Sequence, residues 1–204
     1  MKITLYKEPF HFLILDNVYT EDELKLIWTE LDYLYAVRDL FFLSPEKTKS
    51  ATDSEGNLLK NNFGNFLQGF YADRKYSHLM TLNQKIYGDD IIRHPDSWFF
   101  NQEFNAEGTL ISYYENGGYY KPHNDNALLT ACTWFWKEPK KFTGGNFKFS
   151  EYDLQLEIQN NCAVIFPSHI FHEVEPVCIS EEYANQGYGR FCMTQFIERF
   201  RTPP

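Results

Sequence analysis

The spacing of apolar positions changes character along this chain. Phe12-Leu13-Ile14-Leu15 is a short continuous apolar run of strand type. Thr20 with Glu23 three residues later is the reciprocal side-chain pairing that opens helices. Leu24, Ile27, Trp28, Leu31, Leu34 and Tyr35 then recur at helical spacing and offer one apolar face to a sheet. Leu79, Leu82 and Ile86 repeat that spacing within 75–87 and predict a second helix over the same sheet. Between the two, residues 44–65 pass through Ser44-Pro45, Lys47-Thr48-Lys49-Ser50 and Asp53-Ser54-Glu55-Gly56-Asn57 with little to bury. They read as a loop or exposed hairpin that could act as a substrate lid.

From Gly108 the pattern becomes a series of short β-type runs: Thr109–Tyr114, Leu128–Trp136, Asn146–Phe149, Leu154–Ile158, Cys162–Phe166 and Arg190–Ile197. Gly117-Gly118, Gly144-Gly145 and Asn160-Asn161 supply turns between them, so a double-sheet or barrel-like β architecture is expected. The resulting picture is mainly β with supporting N-terminal helices. One domain over 1–204 is expected, with helical support and the lid in about 1–107 and the β core in about 108–200.

Composition refines this only in part. The 19 Phe, 14 Tyr and 4 Trp suit a β-rich interior filled with large rings. A formal net charge of −9 argues against broad contact with phosphate backbones, so no nucleic-acid partner is expected. No run approaches the roughly 18 apolar residues of a membrane helix and the first residues lack a signal-type apolar core, which reads as a soluble, cytoplasmic protein with no membrane partner. Cys132, Cys162, Cys178 and Cys192 form no Cys-x-x-Cys pair and read as reduced core thiols.

Chemistry enters with His-x-Asp, which occurs twice. His94-Pro95-Asp96 stands before the strand-rich half and beside a proline, and reads as a loop or helix end. His123-Asn124-Asp125 leads into the β core. In extended backbone, residues i and i+2 project to one side, so this imidazole and carboxylate can meet a single ion. A third ligand should come from a later strand, and His172 follows the run Cys162–Phe166 by a short connection. His169 competes for the role; on one strand the two would face opposite sides and at most one could reach the metal. Two imidazoles and one carboxylate cap one face of an octahedral metal and leave three positions open, as in non-haem Fe(II) oxygenases.

The segments Tyr114-Glu115-Asn116-Gly117-Gly118-Tyr119-Tyr120-Lys121-Pro122-His123-Asn124-Asp125, Thr143-Gly144-Gly145-Asn146-Phe147, Val164-Ile165-Phe166-Pro167-Ser168, His172-Glu173-Val174-Glu175-Pro176-Val177 and Gly189-Arg190-Phe191 together resemble the 2-oxoglutarate and Fe(II)-dependent oxygenases of the prolyl 4-hydroxylase-like group. The resemblance covers about 108–200, and more weakly Phe12 to Leu34. It implies a double-stranded β-helix core, that is, a jelly roll of cupin-like type. It makes His123, Asp125 and His172 the iron ligands, with His169 a residue of the rim or its surroundings. It pairs Arg190 with the distal carboxylate of 2-oxoglutarate, aided by Thr194 and by Tyr114; Tyr120 could line the pocket or pack in the core.

The same resemblance implies Fe(II), 2-oxoglutarate and dioxygen as cofactors, with ascorbate as a supporting reductant and succinate and carbon dioxide as coproducts. Halogenating relatives lack the carboxylate that Asp125 supplies, so hydroxylation of a C–H bond is the implied outcome. Relatives that repair alkylated nucleic acid carry Arg-x-Asn-x-Thr-x-Arg on the last strand, whereas this chain reads Arg190-Phe191-Cys192-Met193-Thr194-Gln195-Phe196. A prolyl residue in a peptide or protein is therefore the leading substrate by analogy, and a free amino acid or other small metabolite the alternative. The rival from another class is a non-catalytic jelly-roll module that binds a metal or small ligand.

Overall fold

The computed structural model describes residues 1–200 apart from Lys49, Trp98 and Gln102. In chain order, β1 (Lys2–Tyr6) and β2 (Phe12–Asp16) precede α1 (Glu21–Ala36) and α2 (Arg38–Phe41). Next come β3 (Lys60–Asn61), β4 (Phe63–Phe66), α3 (Leu67–Phe70) and α4 (His78–Leu82). The remainder is β: β5 (Ala106–Tyr114), β6 (Tyr119–His123), β7 (Leu129–Phe135), β8 (Phe142–Gly144), β9 (Phe147–Phe149), β10 (Leu154–Leu156), β11 (Cys162–Pro167), β12 (His172–Val174), β13 (Val177–Ile179) and β14 (Arg190–Glu198).

A seven-stranded sheet runs β1-β2-β11-β7-β14-β5-β4, and a five-stranded sheet runs β10-β9-β12-β6-β3. Strands β13 and β8 form a separate pair. All pairings are antiparallel, and the two larger sheets face each other in the jelly-roll arrangement expected.

Both faces of the central strands are buried, and strict alternation decides what each face touches. On β11, Ala163 and Ile165 join the helix-side core, while Cys162, Val164 and Phe166 point between the sheets. On β7, Ala131 and Phe135 take the first side and Cys132 and Trp134 the second. The space between the sheets is filled by rings: Phe147 lies 5.4 Å from Trp134 and 5.6 Å from Phe166. Helix α1 covers the other face, with Ile27, Leu31 and Leu34 fully buried as their spacing predicts. Its start has the expected reciprocal cap: the Thr20 hydroxyl accepts from the Glu23 N–H and the Thr20 N–H donates to the Glu23 carboxylate. Glu30 is buried on this face yet accepts from the Ser77 hydroxyl and the Leu79 N–H, which ties α1 to the start of α4.

Two expectations need correction. The helix predicted over 75–87 is short: α4 ends at Leu82 and a 3₁₀ segment, Asn83–Tyr87, follows. Asn83 is fully buried, accepts from Arg74 and donates to the Thr109 hydroxyl at 2.8 Å, so bonding to the sheet holds the chain where the helix would continue. Residues 44–65 are likewise more organised than a free loop. They contain a 3₁₀ turn at Pro45–Lys47, a bridge between Thr52 and Leu58, and strands β3 and β4. The Asp53 carboxylate closes the turn by accepting from the N–H groups of Glu55 and Asn57. The N-terminal half thus adds four strands to the sheets as well as helices. These strands are short or lie at sheet edges, where apolar runs are not required.

Asn161 fastens the N-terminal segment to the β core. Its φ of 60° lies in the left-handed region, which asparagine tolerates better than most residues. Its side chain accepts from the Tyr19 N–H at 2.9 Å and donates to the Tyr19 carbonyl at 2.8 Å. Replacing Asn161 with Ala should therefore destabilise the fold by about 2–4 kcal/mol, since two buried backbone groups lose their partners. Leu40→Ala, at a position 79% exposed, should change stability little. Urea unfolding of the two variants checks the contrast.

Candidate metal centre and its cavity

The sheet register places His123, the last residue of β6, directly opposite His172, the first of β12. Directly paired residues of antiparallel strands project to the same face, and the two imidazole centroids are 4.3 Å apart. The pairing then slips, because Val174 lies opposite Tyr120. Two steps on β12 match three on β6, so one extra residue is inserted around Lys121-Pro122. Proline has no N–H for the ladder, and a bulge is where a strand tolerates it. The bulge also brings Tyr120 onto the His123 face, where the rings stack with centroids 3.4 Å apart. Strict alternation along β6 would have set these two rings on opposite sides, which is why the sequence left Tyr120 open.

Asp125 follows β6 and is fixed at both ends. Its N–H donates to the Ser168 carbonyl at 2.9 Å, and its Oδ2 accepts from the Thr130 hydroxyl at 2.7 Å. His123 Nδ1 lies 2.8 Å from the Lys121 carbonyl and His172 Nδ1 lies 3.0 Å from the Ile170 carbonyl. A carbonyl can only accept, so each Nδ1 carries the hydrogen and each Nε2 keeps its lone pair. Those nitrogens face the carboxylate: His123 Nε2 is 3.9 Å from Oδ1 and His172 Nε2 is 3.5 Å from Oδ2. One ligand atom from each of the three residues falls within 4.8 Å of the others. Burial, reinforced by His172, pushes the His123 imidazole down to about 3, and burial lowers that of His172 as well, with Asp125 opposing. At neutral pH both rings are uncharged donors. Neutral imidazole nitrogens beside a carboxylate, held from behind by carbonyls, fit a divalent transition metal.

His169, the competitor, lies on a turn and is exposed. His94-Pro95-Asp96 forms a local turn in which the Asp96 N–H donates to His94 Nδ1.

Arg190 opens β14 opposite Tyr114 and is fully buried. Its guanidinium carbon sits 4.4 Å over the Tyr114 ring, and Nη1 donates to the Gly145 carbonyl. Nε and Nη2 have no hydrogen-bond partner among the described residues. A buried guanidinium with free donors is costly unless an anion completes it. The approach of Gly145 depends on its lacking a side chain: at φ +67° a Cβ would lie 2.8 Å from Val177 Cγ2, and at Gly144 one would lie 2.2 Å from the Pro176 carbonyl oxygen.

Alternation along β14 puts Cys192, Thr194, Phe196 and Glu198 on one wall of a cavity of about 810 Å³, which also includes Tyr114, Tyr120 and the His123, Asp125, His172 cluster. Thr194 and Tyr114 therefore line the cavity. Two of the cysteines are not merely core thiols. Cys132 and Cys192 line the cavity, with Thr194 Oγ1 at 3.8 and 3.6 Å from their sulfurs. Cys162 is buried and Cys178 is exposed. Sequence reasoning missed Lys60, Trp134 and Phe66 on the walls, because no motif marks a residue that reaches a site only through sheet pairing.

Comparison with known proteins agrees with this geometry. Residues 109–198 match the family model of the 2OG-Fe(II) oxygenase superfamily. A PKHD-type hydroxylase of Sphingopyxis alaskensis is 29% identical over 111 residues, covering 48% of this chain and 51% of the relative. The chain spans about half or less of the curated relatives it matches. In fold, it is similar to a Pseudomonas putida prolyl-4-hydroxylase, at 16% identity and a TM-score of 0.61, covering 93% of each chain. An oxidoreductase of the 2OG-Fe(II) oxygenase family from Burkholderia pseudomallei gives 14% identity and a TM-score of 0.58, covering 93% of this chain and 86% of the other.

The depressed imidazole of His123 sets a pH dependence for the metal-free protein. An unfolded histidine takes up a proton near pH 6.5, whereas His123 in the fold does so only near 3. The unfolded state thus binds more protons below about pH 6.5, and stability should fall steadily as pH drops toward 3. Urea midpoints of metal-free wild type and His123→Gln between pH 7.5 and 4.5 check this; the substitution should flatten the profile.

Proposed function

We propose, from the match of residues 109–198 to the family model of the 2OG-Fe(II) oxygenase superfamily, that this chain is a single-domain hydroxylase whose iron is held by His123, Asp125 and His172. The observation that carries this reading is a neutral two-imidazole, one-carboxylate cluster in the cavity, together with a buried guanidinium with two free donors stacked over Tyr114 of the cavity wall. Family members use Fe(II), 2-oxoglutarate and dioxygen, and the bound iron and keto acid supply the oxidising chemistry. The protein's residues perform the positioning.

His123 and His172 present their Nε2 lone pairs from fixed rings, and Thr130 holds the Asp125 carboxylate toward them. Arg190, whose Nε and Nη2 are free, would hold the distal carboxylate of 2-oxoglutarate, since a planar fork suits paired hydrogen bonds. Thr194 adds a hydroxyl from the same strand, and Tyr114 supports the guanidinium from beneath. Trp134 and Phe147 supply aromatic wall on this side of the cavity.

A prolyl residue of a peptide or protein is the substrate this reading favours, with succinate and carbon dioxide as coproducts. Its support is the hydroxylase name of the curated relatives and the fold shared with a prolyl-4-hydroxylase.

The test is anaerobic titration with Fe(II) and 2-oxoglutarate, following the weak visible charge-transfer band of a chelated keto acid. Wild type should develop the band and His172→Ala should not. Arg190→Met should require roughly 10- to 150-fold more 2-oxoglutarate, the worth of a charge-assisted contact of about 1.5–3 kcal/mol. No band in wild type at saturating ligand would leave a non-catalytic binding module. For the substrate, proline-containing peptides incubated with the aerobic enzyme should gain one oxygen atom by mass spectrometry, and a proline-free set should not.

A further inference from the structure

Lys60 is a cation of the cavity wall. It lies on β3, is only 6% exposed, and lines the cavity alongside Tyr120 and His123. Among the described residues its ammonium meets only the Tyr120 ring, 5.6 Å away, with no carboxylate in ion-pair reach. Burial pulls its pKa down to about 8, and no neighbouring anion offsets that burial. The ammonium stays mostly protonated at neutral pH, and its field contributes to holding His123 neutral. An apolar residue of similar length would pack against Tyr120 at lower cost.

The surroundings indicate what completes this charge. Lys47 and the hydroxyls of Thr48 and Ser50 share the cavity lining with Lys60, and the two hydroxyls lie 2.6 Å apart. The Ala51 N–H donates to the Tyr120 hydroxyl at 3.3 Å, which fastens this segment over the cavity. Leu43, Phe66, Leu110 and Phe196 supply apolar lining. The cavity therefore combines a cationic, hydroxyl-bearing portion with an apolar one.

We propose that Lys60 is a specificity residue that binds a carboxylate of the molecule to be oxidised, so that the prolyl or other apolar residue it accepts carries a free carboxylate, as at the C-terminus of a peptide. This rests on the oxygenase reading, in which the two carboxylates of 2-oxoglutarate are already engaged, one by Arg190 and one at the metal. The anion that Lys60 lacks then belongs to the second organic molecule. The cosubstrate and the molecule to be oxidised would offer Lys60 the same chemistry, a carboxylate, so the test must separate them.

The measurement is calorimetric binding under anaerobic conditions to protein loaded with Fe(II) and 2-oxoglutarate. The probes are the N-acetylated forms of proline, leucine and phenylalanine, each beside its carboxamide. At least one acid should bind wild type about tenfold or more tightly than its amide, as one charge-assisted hydrogen bond provides. Lys60→Met should abolish that preference, Lys60→Arg should keep it, and both should retain wild-type affinity for 2-oxoglutarate. Lys60→Met should also melt no lower than wild type, since it removes an unpaired buried charge. The proposal is overturned if no acid is preferred, or if the preference survives in Lys60→Met. It is equally overturned if Lys60→Met weakens 2-oxoglutarate instead, which would assign Lys60 to the cosubstrate. A missing charge-transfer band in wild type would count against the oxygenase reading, and the acid–amide comparison repeated without cosubstrate would still decide the role of Lys60.

Discussion

The pairing of β6 with β12 is the constraint on which the site depends. It sets His123 opposite His172, and because side chains alternate along a strand, a slip of one residue would turn one imidazole away from the cavity. Neither strand is long enough to fix that register by itself: β12 has three residues and β6 has five. It is fixed from outside, by β9 pairing with β12, by β3 pairing with β6, and by the bulge at Lys121-Pro122. Asp125 is positioned independently, through the Ser168 carbonyl and the Thr130 hydroxyl of the larger sheet. The cluster therefore forms only when both sheets are assembled face to face.

The electrostatics of the cleft follow from the same enclosure. Burial keeps the imidazoles neutral, which suits them as ligands, and leaves Arg190 and Lys60 as cations without protein anions. Natural interiors seldom keep such charges unpaired, because desolvation of an ion costs several kcal/mol. Arg190 is sustained by a ring below it and one carbonyl, which leaves its fork open in one direction. Lys60 is sustained by a ring alone. Neither cation is neutralised by a carboxylate of the fold within ion-pair reach among the described residues.

The segment from Leu43 to Phe66 connects stability with access to this cavity. Its strands extend both sheets, so it is part of the scaffold, yet Lys47, Thr48, Ser50 and Ala51 form cavity wall. The hydrogen bond from Ala51 to Tyr120 links that wall to the ring stacked on His123. The pairing of β3 with β6 gives the segment a second link to the strand that carries His123.

Much of this was legible in the chain itself. Periodicity gave α1 with its cap and the long strands of the β core, because a helix face and a doubly buried strand each require a regular apolar pattern over several residues. His-x-Asp ahead of a later histidine pointed to the cluster, since ligand chemistry restricts residue types, while the preference for His172 and the interest of Arg190 came from resemblance to the oxygenases. Tertiary structure alone decided the rest. The three-residue strands β8, β12 and β13 carry too few positions to show a period, and β3 and β4 become strands only because neighbouring edges accept them. The helix expected over 75–87 yields to the bonds Asn83 makes with the sheet. His169 and His172 could not be separated by alternation, whereas sheet pairing separates them outright. Tyr120 reaches the His123 face through a bulge, and Lys60 reaches the cavity through an edge strand remote in sequence. Patterns in sequence record what each residue must be locally, while register and bulges arise from pairing between distant segments, and those determine which side chains share a site.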